Sequence, residues 1–416
     1  MRGDKTFSRR VYPDMSQTSW LCLMPHPYGW GDNQGRDIGA LANGLRQLGE
    51  RVEFYVLDER TDVRDPAVKL AGFQQLADAQ WWKSKGCGVL LTTFGTKLMQ
   101  PIYAAAKQAG WSVWTRMDCD GIPGPDGKKN KYIVGRMVES IDRHRRKNCD
   151  LSGTISGGCE GFLRAATGII LARRIRARLL RSYELADHLL VETPLAEKSF
   201  REYFGKRGRE DLASKIRVLS PAISEAFYFS GQPAKTGVVA VGQWFRWQKN
   251  LHLLADTILK TWQLDADLQW TVVGNGAHFV EEALEKKKEL PRRNARFKPH
   301  TKPEELADIY RSARVIFYSS RQEGFPNTLC EALCSGTTMV APRGIQAFEY
   351  CEARGWGSLY DKPIEAPTVV PNELAVCEAG SRDPQVISAE AATLFHRKNV
   401  ATQLCNLRQT LSQRPI

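Results

Sequence analysis

SSRQEGFPNTLCEALCSG, residues 319–336, follows the apolar run VIFY at 315–318. The apolar run reads as a strand that ends at Glu323. Gly324 and Phe325 turn the chain, and Pro326 suits the first position of a helix. Asn327 and Thr328 then lie in the first helical turn, where backbone N–H groups have no partner within the helix. Such an end attracts anions through oriented donors and the helix dipole. Glu331 follows Glu323 by eight residues. One carboxylate therefore sits at the mouth of an anion site and the other deeper along the helix, a pattern suited to holding hydroxylated groups on both sides of a phosphate. The same spacing also fits a plain strand–turn–helix in which Glu323 caps the helix and Glu331 pairs with a base.

Working outward, a short apolar strand, a glycine or polar turn and an amphipathic helix recur along the chain. WLCLM (20–24), RVEFYVL (51–57), GVLLTT (88–93), SVWTRM (112–117), DHLLVET (187–193) and KIRVLS (215–220) read as strands. Ile38, Leu41, Ala42, Leu45 and Leu48 form one helix face, closed by Gly49. The stretch 226–237 has no period and reads as a linker. The series then restarts with strands at 237–242, 269–274, 295–298, 314–320 and 337–341. Helical patterns fall near 249–263, 279–289, 303–312 and 326–335, and about 388–413 reads as one C-terminal helix. Alternation of this kind predicts parallel sheets covered on both faces. The expected fold class is α/β, with two doubly wound Rossmann-like domains, 16–226 and 237–385, facing across a cleft. The segment 386–416 is expected to pack back toward the first domain. Ligands of open α/β sheets bind outside the carboxyl ends of the strands, which places a site between the domains.

Composition narrows the function classes. The chain has 416 residues, 42% hydrophobic and 25% charged. That is ordinary globular usage. No apolar run approaches the roughly 20 residues needed to span a bilayer. The N-terminal MRGDKTFSRRV lacks the apolar core of a secretory signal. The ten cysteines include no C-x-x-C and complete no zinc pattern, so reduced buried thiols in a cytosolic protein are expected. The net charge of +13 points to an anionic partner: nucleotide phosphates, lipid headgroups or nucleic acid.

E-G-F-P-N-T-L-C-E at 323–331, near the end of a second α/β domain, resembles the E-x7-E motif of the family 4 retaining glycosyltransferases, which have the GT-B fold. V-G-Q-W-F-R-W-Q-K-N-L (241–251) resembles that family's strand and phosphate-binding loop. V-V-G-N-G (272–276) resembles its G-x-G turn, and S-Y-E-L-A-D-H-L-L-V-E-T-P (182–194) the last helix–strand step of the acceptor domain. The resemblance covers roughly residues 20–350 and is strongest over 237–341. It implies transfer of a sugar from a nucleotide-sugar donor, UDP- or GDP-linked, with retention of anomeric configuration. The donor would lie on the second domain and an acceptor, a glycan, a lipid-linked group or a small molecule, on the first.

The resemblance also implies roles. Glu323 would bond the donor sugar hydroxyls and Glu331 the ribose. The amides around Gly324, Phe325, Pro326, Asn327 and Thr328 would hold sugar and pyrophosphate, with Asn275 on the G-x-G turn. Lys249 matches the lysine that neutralises the departing diphosphate, a task suited to a compact cation. Gln243 stands where the family has arginine, and Arg246, three residues on, is the candidate substitute. Gly29, Gly31 and Gly35 lie in a loop after the first strand, where the family brings backbone close to phosphate; Gly31 is the donor-binding candidate, against a plain turn. Asp118, in TRMDCDGIPG (115–124), is the candidate for substrate hydroxyls over Asp120, against an Asx turn before Gly121. No metal and no cofactor beyond the nucleotide-sugar substrate is expected.

Residues 143–181 hold ten basic side chains against Asp150 and Glu160, a net +8. RRIRARLLR within it fits an anionic membrane face, a solvated helix face, or an anionic acceptor. The expected location is cytoplasmic, with peripheral attachment to the membrane as an option. Competing readings are an epimerase or phosphorylase on the same fold, a catalytically impaired relative that acts as a binding subunit, and a nucleic-acid-binding protein. No zinc finger, RNP-like strand or recognition helix supports the last.

Overall fold

A computed structural model describes residues 19–25, 37–57, 68–93, 99–117, 179–229, 231, 236–287 and 294–412. The first sheet contains β1 (Ser19–Met24), β2 (Val52–Leu57), β3 (Lys69–Ala71), β4 (Gly88–Thr93), β5 (Ser112–Arg116), β6 (His188–Val191) and β7 (Ile216–Val218). Their order across the sheet is β3-β2-β1-β4-β5-β6-β7, and every pairing is parallel. The second sheet contains β8 (Val238–Val241), β9 (Trp270–Val273), β10 (Ala295–Lys298), β11 (Val315–Phe317), β12 (Thr338–Pro342) and β13 (Gly357–Tyr360). Its order is β10-β9-β8-β11-β12-β13, again parallel.

The strands are short and apolar because both faces are covered. All six residues of β4 are buried. Trp20, Cys22 and Phe54 pack on one face of the first sheet, and Leu21, Leu23 and Tyr55 on the other. This is the burial expected of parallel strands between helices. Burial pushes the Cys22 thiol up to about 12, so it packs as an inert apolar group.

In both sheets the strand order reverses once, between β1 and β4 and between β8 and β11. Loops leaving the two strands beside a reversal diverge to opposite faces and open a crevice. The loops after β8 and β11 are residues 242–250 and 318–326, the segments that carry Lys249 and Glu323. The turn after β9 comes close behind the first of these. Gly274 has φ 119°, and a Cβ there would lie 2.0 Å from the Gly242 carbonyl oxygen. Only glycine fits that approach.

The C-terminal segment departs from the expected single helix. It forms two helices, Pro384–Phe395 and Arg397–Ser412. The break falls at His396, whose extended backbone (φ −60°, ψ 125°) pairs with Ile223. Ile223 N donates to the Phe395 carbonyl at 3.0 Å. The chain therefore returns to the first domain beside the segment by which it left. Arg397–Ser412 lies against the first helix, Asp37–Gln47, so closely that a Cβ on Gly44 would meet the Arg397 carbonyl oxygen at 2.3 Å. Val400, Ala401 and Leu404 complete the apolar cluster around Trp20 and Leu41. Arg408 bonds Glu50 at 2.8 Å and lies over the Trp20 ring. The segment read as a linker begins in regular structure: Glu225–Phe227 is a 3-10 turn, and Phe227 is buried in the second domain's core.

Candidate active site

The site is built by two loops. After β8 the chain passes Gly242 and makes a 3-10 turn, Trp247–Lys249. It then reverses at Asn250, whose φ of 50° is the single positive value at a non-glycine residue among the described residues. Left-handed backbone at such a residue costs energy and is held only where its surroundings fix it. Helix Leu251–Leu264 starts at once. The Lys249 methylenes run past Gly242, about where a Cβ on that glycine would make ordinary contact.

After β11 the second loop presents Ser319, Ser320 and Glu323, all buried. Helix Asn327–Cys334 follows with Pro326 at its N-cap, one residue later than the spacing suggested. Proline offers no side-chain oxygen to the first-turn amides, so this helix begins without a side-chain cap.

Lys249 Nζ and Glu323 Oε1 meet at 2.5 Å, with 14% and 7% of their side chains exposed. Ser320 Oγ donates to the same carboxylate oxygen at 2.5 Å. Gln248 Nε2 donates to Oε2 at 3.0 Å and to the Gln322 carbonyl at 2.7 Å. Ser319 Oγ donates to the Lys249 carbonyl at 2.6 Å. Arg321 sends its backbone N–H to the Gln248 carbonyl at 2.8 Å and Nη1 to that of Trp247 at 2.7 Å, its guanidinium over the Trp247 ring. A cation and a carboxylate thus stand together at the reversal point of a parallel sheet, next to an uncapped helix N-terminus. That arrangement can neutralise a phosphate and accept from hydroxyl groups.

Residues 235–363 match the family model for glycosyl transferases group 1. The second domain is a group 1 glycosyltransferase domain. No curated protein sequence matches the chain. Among solved structures, Anabaena HepE in complex with UDP and glucose is similar at a TM-score of 0.62 and 12% identity, over 94% of this chain and 100% of that one. Sucrose-phosphate synthase from Thermosynechococcus elongatus gives 0.60 and 14% over 94% and 99%. The pneumococcal O-GlcNAc transferase GtfA, in complex with UDP and GlcNAc, gives 0.65 and 10% over 96% and 100%. At these identities the likeness carries the fold, and it carries the two-sheet GT-B architecture across nearly the whole chain.

Within this glycosyltransferase domain the structure brings Lys249, Glu323 and the turn Gly324–Thr328 together. Phe325 points the other way. Its ring packs against Tyr350 and Phe395 in the core, leaving its backbone for a ligand. Thr328 Oγ1 lies 3.0 Å from the Tyr318 hydroxyl. Glu331 is 1% exposed, with Tyr310 OH donating to Oε2 at 3.3 Å. Asn275 is half-buried, and its carbonyl accepts from Trp244 N at 2.8 Å, which ties the G-x-G turn to the Lys249 loop. Gln243 and Arg246 are exposed. Arg246 lies 5.9 Å from the Phe245 ring and has no ion pair among the described residues. Asp118, Asp120, the Gly29–Gly35 loop with Gly31, and the basic segment up to residue 178 lie outside the described residues.

Sequence reasoning missed Gln248, Ser319, Ser320 and Arg321, which hold the loops in place. The serines lie at a strand end within the quoted motif, but nothing in their spacing marks them. It also missed Arg116 and Glu192, which end β5 and follow β6. These side chains face each other at 3.7 Å with only 4% and 5% exposed. A buried charge pair at the carboxyl ends of parallel strands needs two distant segments to be seen together. The charge of Glu192 is felt in the second domain. Burial holds the Cys330 thiol on helix Asn327–Cys334 well above its ordinary range, and Cys334, Cys351, Glu331 and Glu192 add to that effect. Ser199 and Gln346 bond across the same boundary at 2.7 Å.

Proposed function

We propose that the protein is a retaining glycosyltransferase that moves a sugar from a nucleoside-diphosphate donor, UDP- or GDP-linked, to a glycan or lipid-linked hydroxyl. The observation that carries this reading is the Lys249–Glu323 pair beside the uncapped N-terminus of helix Asn327–Cys334. In this reading the first-turn amides and Lys249 take the diphosphate, Glu323 accepts from donor sugar hydroxyls, and Glu331 holds the ribose. The bond from the anomeric carbon to the diphosphate oxygen breaks while the acceptor oxygen bonds that carbon on the same face. The acceptor proton passes to the departing phosphate oxygen. Lys249 stabilises the charge that develops there, and no step needs a metal. The UDP and sugar complexes of HepE and GtfA support a UDP-linked donor.

A second reading is a binding subunit with impaired turnover. It rests on Gln243, exposed at the position where the family carries arginine. The basic segment 143–181 is proposed to meet an anionic membrane face. Among the described residues no helix is long and apolar enough to cross a membrane.

A thermal-shift panel of UDP, GDP, ADP, CMP and their sugars, without metal, tests the donor site, since a ligand that binds only the folded chain raises the midpoint. A shift with one nucleotide followed by turnover of its sugar, read for anomeric configuration by NMR, supports transfer. A shift without turnover supports the binding subunit. No shift with any nucleotide overturns both.

A further inference from the structure

Gln248 holds the two loops of the site together. Its side-chain amide carries two N–H groups. One reaches the Gln322 carbonyl at 2.7 Å and the other Oε2 of Glu323 at 3.0 Å. The amide plane is thereby fixed, and its backbone is fixed too by the bond from Arg321 N to the Gln248 carbonyl at 2.8 Å. An ionised carboxylate offers about four lone-pair positions. Among the described residues Lys249 and Ser320 take Oε1 of Glu323, and Gln248 takes one position on Oε2. The position left open is the second lone pair of Oε2, and its direction is set by Gln248.

We propose that Gln248 is a positioning residue that orients the Glu323 carboxylate so that one lone pair of Oε2 meets a single hydroxyl of the donor sugar. This rests on the glycosyltransferase reading above and adds to it the atom through which the sugar is gripped. Gln248 touches no reacting atom. It acts by holding the carboxylate plane: without it Glu323, still anchored at Oε1 by Lys249 and Ser320, pivots about that oxygen and misdirects Oε2 from the hydroxyl.

The test compares the full-length wild type with Gln248→Met, which keeps the length of the side chain and removes its donor. UDP-glucose, GDP-mannose and ADP-glucose are assayed first, for hydrolysis and for nucleotide affinity. The donor that is turned over is then replaced by analogues deoxygenated at each ring position in turn. Nucleotide affinity should stay within about two-fold while kcat/KM falls about ten- to a hundred-fold, the range for one hydrogen bond to a charged group. One deoxy analogue should carry a penalty of that size in the wild type and only about two- to three-fold in the variant, because coupled groups are not additive. Gln248→Asn, too short to reach Glu323, should repeat the loss if the methionine variant fails to fold.

An equal deoxy penalty in both proteins overturns the proposal. So does a loss of nucleotide affinity and thermal midpoint in step with activity, which would mark a merely structural role. In either case the active wild type leaves the glycosyltransferase reading standing. A wild type that binds and hydrolyses none of the three donors overturns that reading and this inference with it.

Discussion

At the carboxyl ends of the second sheet, Lys249 and Glu323 meet at 2.5 Å and retain 14% and 7% of their side-chain exposure. At the carboxyl ends of the first sheet, Arg116 and Glu192 stand 3.7 Å apart with 4% and 5% exposed. The second sheet's pair is short and charge-assisted, held by Ser320 and Gln248, and borders a helix N-terminus. The first sheet's pair, at 3.7 Å, is beyond hydrogen-bond length. Two sheets of like strand order thus place opposite charges at their carboxyl ends, one pair beside the reversal at β8 and β11 and the other off it at β5 and β6, and use them differently. The second pair can exchange its mutual attraction for a phosphate and hydroxyls. The first is sealed where charge is costly unless it is paired.

The comparison breaks most visibly if the first pair is disrupted. Arg116→Met leaves Glu192 buried without that cation and should cost about 3–5 kcal/mol of stability, whereas the double variant Arg116→Met/Glu192→Leu should recover most of it. Urea unfolding of the three proteins checks this. A double variant no better than the single one would mean that Glu192 is held mainly by other groups.

The second pair should respond in catalysis. Lys249→Ala is expected to lower turnover about 100- to 1000-fold, the loss seen when a group stabilising developing charge is removed, with a smaller change in nucleotide affinity. Steady-state kinetics beside titration calorimetry separates the two. A purely KM effect would place Lys249 in uniform binding instead.

His188 on β6 sharpens the contrast between the domains. Burial, then Arg217, hold its imidazole down at about 4, and its Nδ1 has no hydrogen-bond partner among the described residues. The unfolded chain binds the proton near pH 6.5 and the folded chain only near 4. The contribution is therefore complete above about pH 6.5 and is lost as pH falls toward 4, up to about 3 kcal/mol. Stability measured between pH 7 and 4.5 should decline, and His188→Gln should flatten the slope. An unchanged slope would show that another group governs it.

The smallest expected effect lies deepest. Glu331→Ala should weaken nucleotide binding about ten-fold, the loss of one charged hydrogen bond. Calorimetry with an unchanged affinity would leave Glu331 as a buried partner of Tyr310.

Much of the fold was legible in the sequence because central parallel strands between helices are continuous apolar runs such as GVLLTT, while ARFK, on a sheet edge, alternates apolar and basic residues; both are strands over the lengths read. Strand Lys69–Ala71 was missed: it has three residues, and unlike the equally short Ile216–Val218 and Val315–Phe317 it does not lie in a longer apolar run. Helix Ala366–Glu378 was missed because Pro371 lies inside it and its faces are weakly distinguished. The expected single C-terminal helix failed at His396, where no glycine or proline marks the break. The pairing with Ile223 makes it, and that partner is distant in the chain.

The sequence by itself determined the alternation of strands and helices, the strand–turn–helix carrying Glu323 and Glu331, and the kinship of the second domain, because these are written in contiguous residues. Tertiary structure decided that Lys249 and Glu323 meet, that Gln248 and two serines orient them, that Phe325 serves the core, and that the last helix belongs to the first domain's apolar cluster. The physical reason is that each of these depends on strand order. Placing β8 beside β11 joins side chains 74 positions apart, and no local propensity carries that information.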